Sequence, residues 1–459
     1  DADWDLVFPD TQDPEYDELW DGSIKRWREK GKPVKVHRTL KAREIWDTIM
    51  ESAWMSAEPG VVFLERMNEL SNSWYFEDLI CTNPCGEQPL PAWGVCNLGH
   101  INLSRFAVGP VGEASLDWDS LRRAVHGGVR FLDNVIDITP YFFPHNEDVQ
   151  KGQRRIGMGT MGLGELLIRI GKRYGSPESL EFIDELYRFI ATEAYLASSE
   201  LAAEKGSFPR FDKEKYLQGG FIKRLPEDVR EHIREHGMRN VCVLTQAPTG
   251  STGTMIGTST GIEPYYSWTY WRKGRLGTKE VQERIVAEYF DQHPGLDRRL
   301  DNLPDYFVSA LELTPKEHIQ VQAAIQTWTD SSISKTANAP NNYTIEQTKE
   351  LYEYAYELGR KGVTIYRDGS RDEQVLTKKE EKETEEATVE VAAWAQQSPA
   401  PDLSIPPKER RWPGRPHKLT GATYEWLTPL GKAFITVNEY QGDPIEIFIN
   451  IGKAGSDIS

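Results

Sequence analysis

The segment Asn83-Pro84-Cys85-Gly86-Glu87 sets a carboxamide, a thiol and a carboxylate at alternate positions. In an extended backbone, residues two apart project to one side. The spacing therefore predicts Asn83, Cys85 and Glu87 facing one small volume. Pro84 and Gly86 offer little side chain and set the backbone path, one by fixing its dihedral, the other by admitting unusual ones. A carboxylate disfavours the thiolate, whereas cationic neighbours promote it. A thiol beside Glu87 thus suits hydrogen-atom or proton transfer better than thiolate attack. The competing reading is a proline-glycine turn around a buried structural cysteine, and spacing alone leans towards it.

Three of the four cysteines, Cys81, Cys85 and Cys96, fall within 16 residues. No pair has C-x-x-C spacing and no second ligand pair follows, so zinc is not expected and no metal site is assigned. Cys242 sits in the apolar run Val241-Cys-Val-Leu244 and reads as packed. Four cysteines in 459 residues are too few for a disulfide scaffold and point to a reducing, cytoplasmic compartment. The charge of −17, from 71 acidic against 54 basic residues, argues against a nucleic-acid partner. It leaves room for a local pocket for a phosphate ester. No apolar run approaches the ~20 residues that span a bilayer, so no membrane partner is expected.

Pro248-Thr-Gly-Ser-Thr-Gly-Thr254 is rich in small and hydroxyl residues, whose backbone N–H groups can approach an anion closely. It lacks the Gly-Lys-Ser/Thr of a Walker loop. An anion cradle and a plain flexible loop are equally compatible with it. Gly157-Met-Gly159-Thr-Met-Gly162 matches a dinucleotide fingerprint, but the polar run 146–155 stands where a buried strand is required. Close helix packing is the better account of these glycines. His232 and His236 read as a solvated helix end, and Tyr265 to Trp271 as aromatic core.

The elements that must position these groups are punctuated clearly. Ser176-Pro177 opens a helix that Gly206 closes, with Leu180, Ile183, Tyr187, Ile190 and Ala194 at helical spacing. Thr314-Pro-Lys-Glu317 forms a capping box before a helix to Trp328. Thr344 to Gln347 repeats it before a helix expected to run to Gly362. Val363 to Tyr366 reads as a buried strand. Helices alternating with strands predict an α/β unit over residues 1–371. The charged and proline-rich stretch 372–411 reads as a disordered linker. Residues 412–459 form a small β-rich module with strands at 424–427, 433–438 and 445–451, and turns at 429–431 and 441–444.

Asn83-Pro-Cys-Gly-Glu-Gln-Pro-Leu90, followed by Cys96-Asn-Leu-Gly-His-Ile-Asn-Leu103, resembles the finger-loop region of ribonucleotide reductase large subunits, most closely the adenosylcobalamin-dependent, class II branch. The similarity continues in order through Arg130–Asp137, Arg154–Leu163, Glu204–Pro209, Ala247–Ser251 with Gly261–Pro264, and Gly362–Arg371. It reaches Thr428–Gly431 and Asn450–Asp457.

The resemblance implies a ten-stranded α/β barrel, incomplete at its N-terminus, with Cys85 at the tip of a central finger loop. By analogy a cofactor-derived deoxyadenosyl radical takes hydrogen from Cys85, and the thiyl removes the ribose 3′-hydrogen. Glu87 would be general base on the 3′-hydroxyl and Asn83 would hydrogen-bond the ribose hydroxyls. Cys96 matches one cysteine of the reducing pair. Pro84 and Gly86, with Pro248, Thr249, Gly250, Ser251 and Thr252, match substrate contacts. Class I enzymes import the radical through two adjacent tyrosines; here the matching pair is Tyr366-Arg367, and arginine is no redox relay.

The implied partners are a ribonucleotide substrate, a thioredoxin-type reductant and a second copy of the chain. The resemblance also places the family's other active-site cysteine and effector site upstream of Asp1, and its C-terminal cysteines beyond Ser459. Two alternatives follow: a class I large subunit, or a piece that is inactive without the upstream segment.

Overall fold

The computed structural model describes residues 2–274, 277–370, 420–428, 431–440 and 443–451. The chain divides into two compact units, residues 1–378 and 379–459. The expected linker 372–411 lies outside the described residues.

In the first unit, Leu98–Asn102 pairs in parallel with Gly157–Met161, from Leu98↔Gly157 to Asn102↔Met161. Parallel bridges Met158↔Leu244 and Gln246↔Ile333 carry the ladder onward. Thr336–Ala339 then pairs in parallel with Gly362–Arg367, whose other side takes Val61–Val62 in antiparallel fashion. Parallel neighbours need long crossovers, and helices supply them. Trp118–Ile138 lies between the first two strands, Pro177–Lys205 and Glu227–His236 before Leu244, Pro315–Thr327 before Ile333, and Ile345–Glu357 before Gly362. The α/β class therefore holds. The described strands form an open ladder: among the described residues, Leu98–Asn102 and Val61–Val62 each have a single strand neighbour, whereas every strand of a closed barrel has two.

The helices form for the reasons their sequences state. Asp117 caps Trp118–Ile138 by accepting from Ser120 N at 3.0 Å, and Leu121, Val125, Val129, Leu132 and Ile136 make its buried stripe. Ser176 accepts from Ser179 N at 3.2 Å to start Pro177–Lys205, which packs on that stripe. Burial of each large aliphatic side chain is worth about 1.5–3 kcal/mol, which outweighs the propensity of any single helix residue. Both expected capping boxes are present, at Thr314 with Glu317 and Thr344 with Gln347. The second helix stops at Glu357, short of Gly362. Gly359 takes a left-handed φ of 76° there, and the chain then turns into the strand.

Gly157 and Gly159 lie in a buried strand, preceded by the helix Pro144–Gln153, and Gly162 is the left-handed N-cap of the next helix, Leu163–Arg169. A Cβ on Gly159 would stand 2.4 Å from the Thr245 carbonyl oxygen and 2.5 Å from His100 Nε2. Gly157 and Gly159 serve the approach of strands, a correction to the expected helix packing, whereas Gly162 starts a helix.

Among the described residues, the second unit is a three-stranded antiparallel meander: Thr420–Thr428, Gly431–Tyr440 and Asp443–Ile451. Its strands contain the three expected runs. The linking residues 429–430 and 441–442 lie outside the described residues.

Candidate active site

Cys81–Thr82 pairs antiparallel with Pro89–Leu90, so residues 83–88 form the loop of a short hairpin. Gly86 N donates to Asn83 O at 3.0 Å, closing a turn, and Gly86 has φ 80°. Asn83 staples the loop from both ends: its Oδ1 accepts from Gln88 N at 2.9 Å, and its N donates to Gln88 O at 3.2 Å. The alternating, extended arrangement expected from the spacing is thus replaced by a turn. The cause is local: Pro84 fixes one φ and glycine at 86 admits a left-handed one. Pro84 and Cys85 sit exposed at the tip, while Glu87 is only 3% exposed. Cys85 is not the buried structural cysteine of the competing reading.

The inner end of the loop is held by the sheet. Glu87 O accepts from Thr245 Oγ1 at 2.6 Å and from Ser332 N at 2.9 Å. Gln88 Nε2 donates to Ser331 Oγ at 3.3 Å. Asp330 ties the two supporting segments together, its carboxylate accepting from Val243 N at 2.6 Å and Leu244 N at 2.9 Å. Lys361 Nζ donates to the carbonyls of Asp330 and Ser331 at 2.5 and 2.9 Å.

Electrostatics follow burial. Desolvation pushes the Glu87 carboxyl up, with the Asn83 side chain pulling it partly back. Its Oε2 is buried and has no hydrogen-bond partner. Desolvation and then the Glu87 charge raise the Cys85 thiol, so Cys85 is kept as S–H. Cys96 is exposed in the stretch just before strand Leu98–Asn102. Its thiol is raised by desolvation and by Glu87, and lowered by Arg155. The Cys81 thiol is raised by desolvation and lies 3.7 Å from Leu90 O. Cys242 is buried, as expected, with its thiol pushed up to about 11.

The segment that holds Glu87 leads directly into the small-residue loop. Ala247 N donates to His100 Nε2 at 3.1 Å. Desolvation lowers His100 to about 4, so the ring is neutral and able to accept. Beyond Pro248, Thr249 takes φ 47° and accepts from Gly261 N through Oγ1 at 2.7 Å. Gly250–Ile256 is helical, and Gly250, Ser251 and Thr252 are exposed in its first turn. The first N–H groups of a helix have no intrahelical partner. Sequence reasoning missed Thr245, Ser332 and His100. Only His100, inside the Cys96–Leu103 motif, carried a signal.

Arg367 packs its guanidinium over Trp54 at 4.4 Å and donates to Trp54 O and Asn341 O at 3.0 and 3.1 Å. Tyr265 and Trp268 are core residues. His232 Nδ1 stands 2.9 Å from Ser199 Oγ at the helix end. Among the described residues no group of three His, Cys, Asp or Glu side chains is arranged to hold a metal, and no helix is long and apolar enough to cross a membrane.

The sequence profile described as "Ribonucleotide reductase, barrel domain" matches residues 1–366. The chain belongs to the ribonucleotide reductase family. Among relatives, the Vitamin B12-dependent ribonucleoside-diphosphate reductase of Thermoplasma acidophilum is 35% identical over 360 residues, covering 75% of this chain and 44% of its own length. The Vitamin B12-dependent ribonucleotide reductase of Streptomyces avermitilis is 26% identical over 478 residues, covering 93% of this chain and 49% of its own. The Ribonucleoside-diphosphate reductase subunit alpha of Chlamydia pneumoniae is 28% identical over 382 residues, with 72% and 36% covered. The chain spans about half or less of these relatives' length.

Proposed function

We propose that this chain is the catalytic region of an adenosylcobalamin-dependent reductase that converts ribonucleoside diphosphates to 2′-deoxyribonucleotides for DNA synthesis. One observation carries the reading. A single loop holds an exposed thiol kept as S–H and a buried carboxylate oxygen without a partner. An accessible S–H is what a hydrogen-atom relay needs, so Cys85 fits the cofactor in the relatives' names. Adenosylcobalamin, when bound, supplies the carbon-centred radical that takes the Cys85 hydrogen atom.

The residues then divide the work. Cys85, as a thiyl, removes the ribose 3′-hydrogen and later returns it. Glu87 Oε2 accepts the 3′-hydroxyl proton, and its raised pKa strengthens it as a base. Asn83 addresses the ribose hydroxyls through its amide nitrogen, since its Oδ1 is committed to Gln88 N. The 2′-hydroxyl leaves as water. Cys96 and a second cysteine supply two electrons and two protons, becoming a disulfide. Backbone N–H and hydroxyl groups of Pro248-Thr249-Gly250-Ser251-Thr252 hold the phosphates, with Pro84 and Gly86 beside the ribose.

For the whole protein we propose closure of the strand ladder into a ten-stranded barrel, of which residues 1–371 are a part. Residues 372–411 act as linker to the β module 412–459. A thioredoxin-type protein re-reduces the disulfide, the chain pairs with a second copy, and it works in the cytoplasm. The class I reading finds support in the Chlamydia relative's name. Against it stands Arg367, packed on Trp54 where a second tyrosine would be required.

The test is cytidine diphosphate reduction with adenosylcobalamin and a small dithiol, wild type against Cys85→Ala. Loss in the variant alone is expected. Equal turnover in both would overturn the role of Cys85. Turnover that needs a radical-generating subunit instead of the cofactor would establish the class I reading. Inactivity of both, cured by adding upstream residues of a relative, would mark a piece of a larger catalyst.

A further inference from the structure

Thr245 is fully buried, and both branches of its side chain are committed. Its Oγ1 donates to Glu87 O at 2.6 Å and lies 3.2 Å from Ser332 O. Its methyl group faces Gly157, where an added Cβ would approach Cγ2 to 2.6 Å. Its backbone N donates to Met158 O at 3.1 Å, which ties it to the central strand. The hydroxyl direction is therefore set by packing on the other branch, as a β-branched side chain permits. Ser332 N reaches the same Glu87 carbonyl at 2.9 Å from the neighbouring segment, itself tied by Ser331 N to Leu244 O at 3.0 Å.

Two rigid donors thus converge on the peptide that carries the Glu87 side chain. The turn at the tip is held within itself by the Asn83–Gln88 staple, whereas Cys85 and Pro84 are exposed and tie it to no other segment. The carboxyl itself offers no anchor at Oε2, which has no partner. The Asn83 side chain reaches the carboxyl, and the backbone behind Glu87 sets where both groups stand.

We propose that Thr245 is a positioning residue for ribonucleotide reduction, its hydroxyl clamping the Glu87 carbonyl so that the carboxyl is held at the place of reaction. This rests on the assignment of Glu87 as base. Valine keeps the shape of threonine and removes the donor. Serine keeps the donor and removes the methyl group.

The test uses Thr245→Val and Thr245→Ser in the full chain, with two readouts. The first is the pH dependence of Cys85 alkylation by iodoacetamide, followed by peptide-resolved mass spectrometry; it needs no cofactor. Because the Glu87 charge raises the Cys85 thiol, a displaced carboxyl lets Cys85 react at lower pH. We expect that shift in Thr245→Val and the wild-type curve in Thr245→Ser. The second readout is turnover of cytidine diphosphate with adenosylcobalamin. There kcat falls about 100-fold in Thr245→Val, the scale of a small misplacement. KM stays within about threefold, since substrate binding is not the target.

A wild-type Cys85 curve in Thr245→Val overturns the proposal, whatever the activity. Equal effects of valine and serine also overturn it, because they would mark loss of packing. If Thr245→Val does not fold, Thr245→Ala serves with the same readouts. If wild type reduces no nucleotide, the turnover arm fails together with the proposed function of this chain alone, while the alkylation arm still decides the clamp.

Discussion

Cys85 and Glu87, two residues apart, occupy opposite environments: the thiol is exposed at the tip of the turn and the carboxyl is 3% exposed at its base. Burial raises Glu87, and burial followed by the Glu87 charge raises Cys85. The sign for stability follows. A carboxyl whose folded-state pKa is raised contributes most below the ordinary carboxylate range and loses that contribution as pH rises through the raised value. Glu87→Gln removes this loss. Thermal unfolding from pH 4 to 8 should show wild type falling relative to Glu87→Gln as pH rises. Parallel curves would count against the raised carboxyl. Turnover of the variant drops about 10²–10⁴-fold, the span of a lost general base.

Gly86 and Gly159 should respond to alanine in opposite ways. At Gly86 a Cβ has only Val62 Cγ1 at 3.7 Å, so the cost is the left-handed backbone, about 1–2 kcal/mol. Gly86→Ala therefore folds, with its turnover reduced by a shifted Cys85. At Gly159 the Cβ collides with the Thr245 carbonyl and His100. Gly159→Ala should lose several times more stability. Urea titration of both variants checks the order, and reversal would contradict the strand contact.

Lys361 is buried beside Asp330 and lowered to about 8 by desolvation. Between that value and the ordinary 10.5, the unfolded chain holds the extra proton, so stability rises with pH across the window. Lys361→Met flattens that rise. Urea midpoints from pH 8 to 10.5 measure it, and an unchanged slope in the variant would refute the assignment. Truncating its neighbour, Asp330→Ala, frees two buried N–H groups and leaves the Lys361 charge uncompensated. That change costs about 3–5 kcal/mol.

Arg367 holds Trp54 by stacking and by one of two backbone hydrogen bonds. Arg367→Lys keeps the charge but loses the planar fork, and should lose about 1–3 kcal/mol in thermal unfolding. Unchanged stability would show the stacking to be incidental.

The motif residues show where legibility in the sequence ended. Asn83, Cys85 and Glu87 stood out as candidates because three polar side-chain types fall within five positions. Their geometry was not, because alternation presumes an extended chain and the Asn83–Gln88 staple bends it into a turn. Thr245, Ser332 and His100 left almost no trace: a threonine in an apolar run looks like any other until a distant carbonyl arrives at its hydroxyl.

The sequence by itself determined the α/β class and the helix starts at Ser176, Thr314 and Thr344. Each of these rests on contacts within a few residues, where side-chain type alone selects the outcome. Tertiary structure alone decided which glycines touch strands, where the last helix stops, and what holds Glu87. Those depend on hydrogen bonds between residues more than 150 apart, such as Thr245 to Glu87, and their partners are set by how the strands stack.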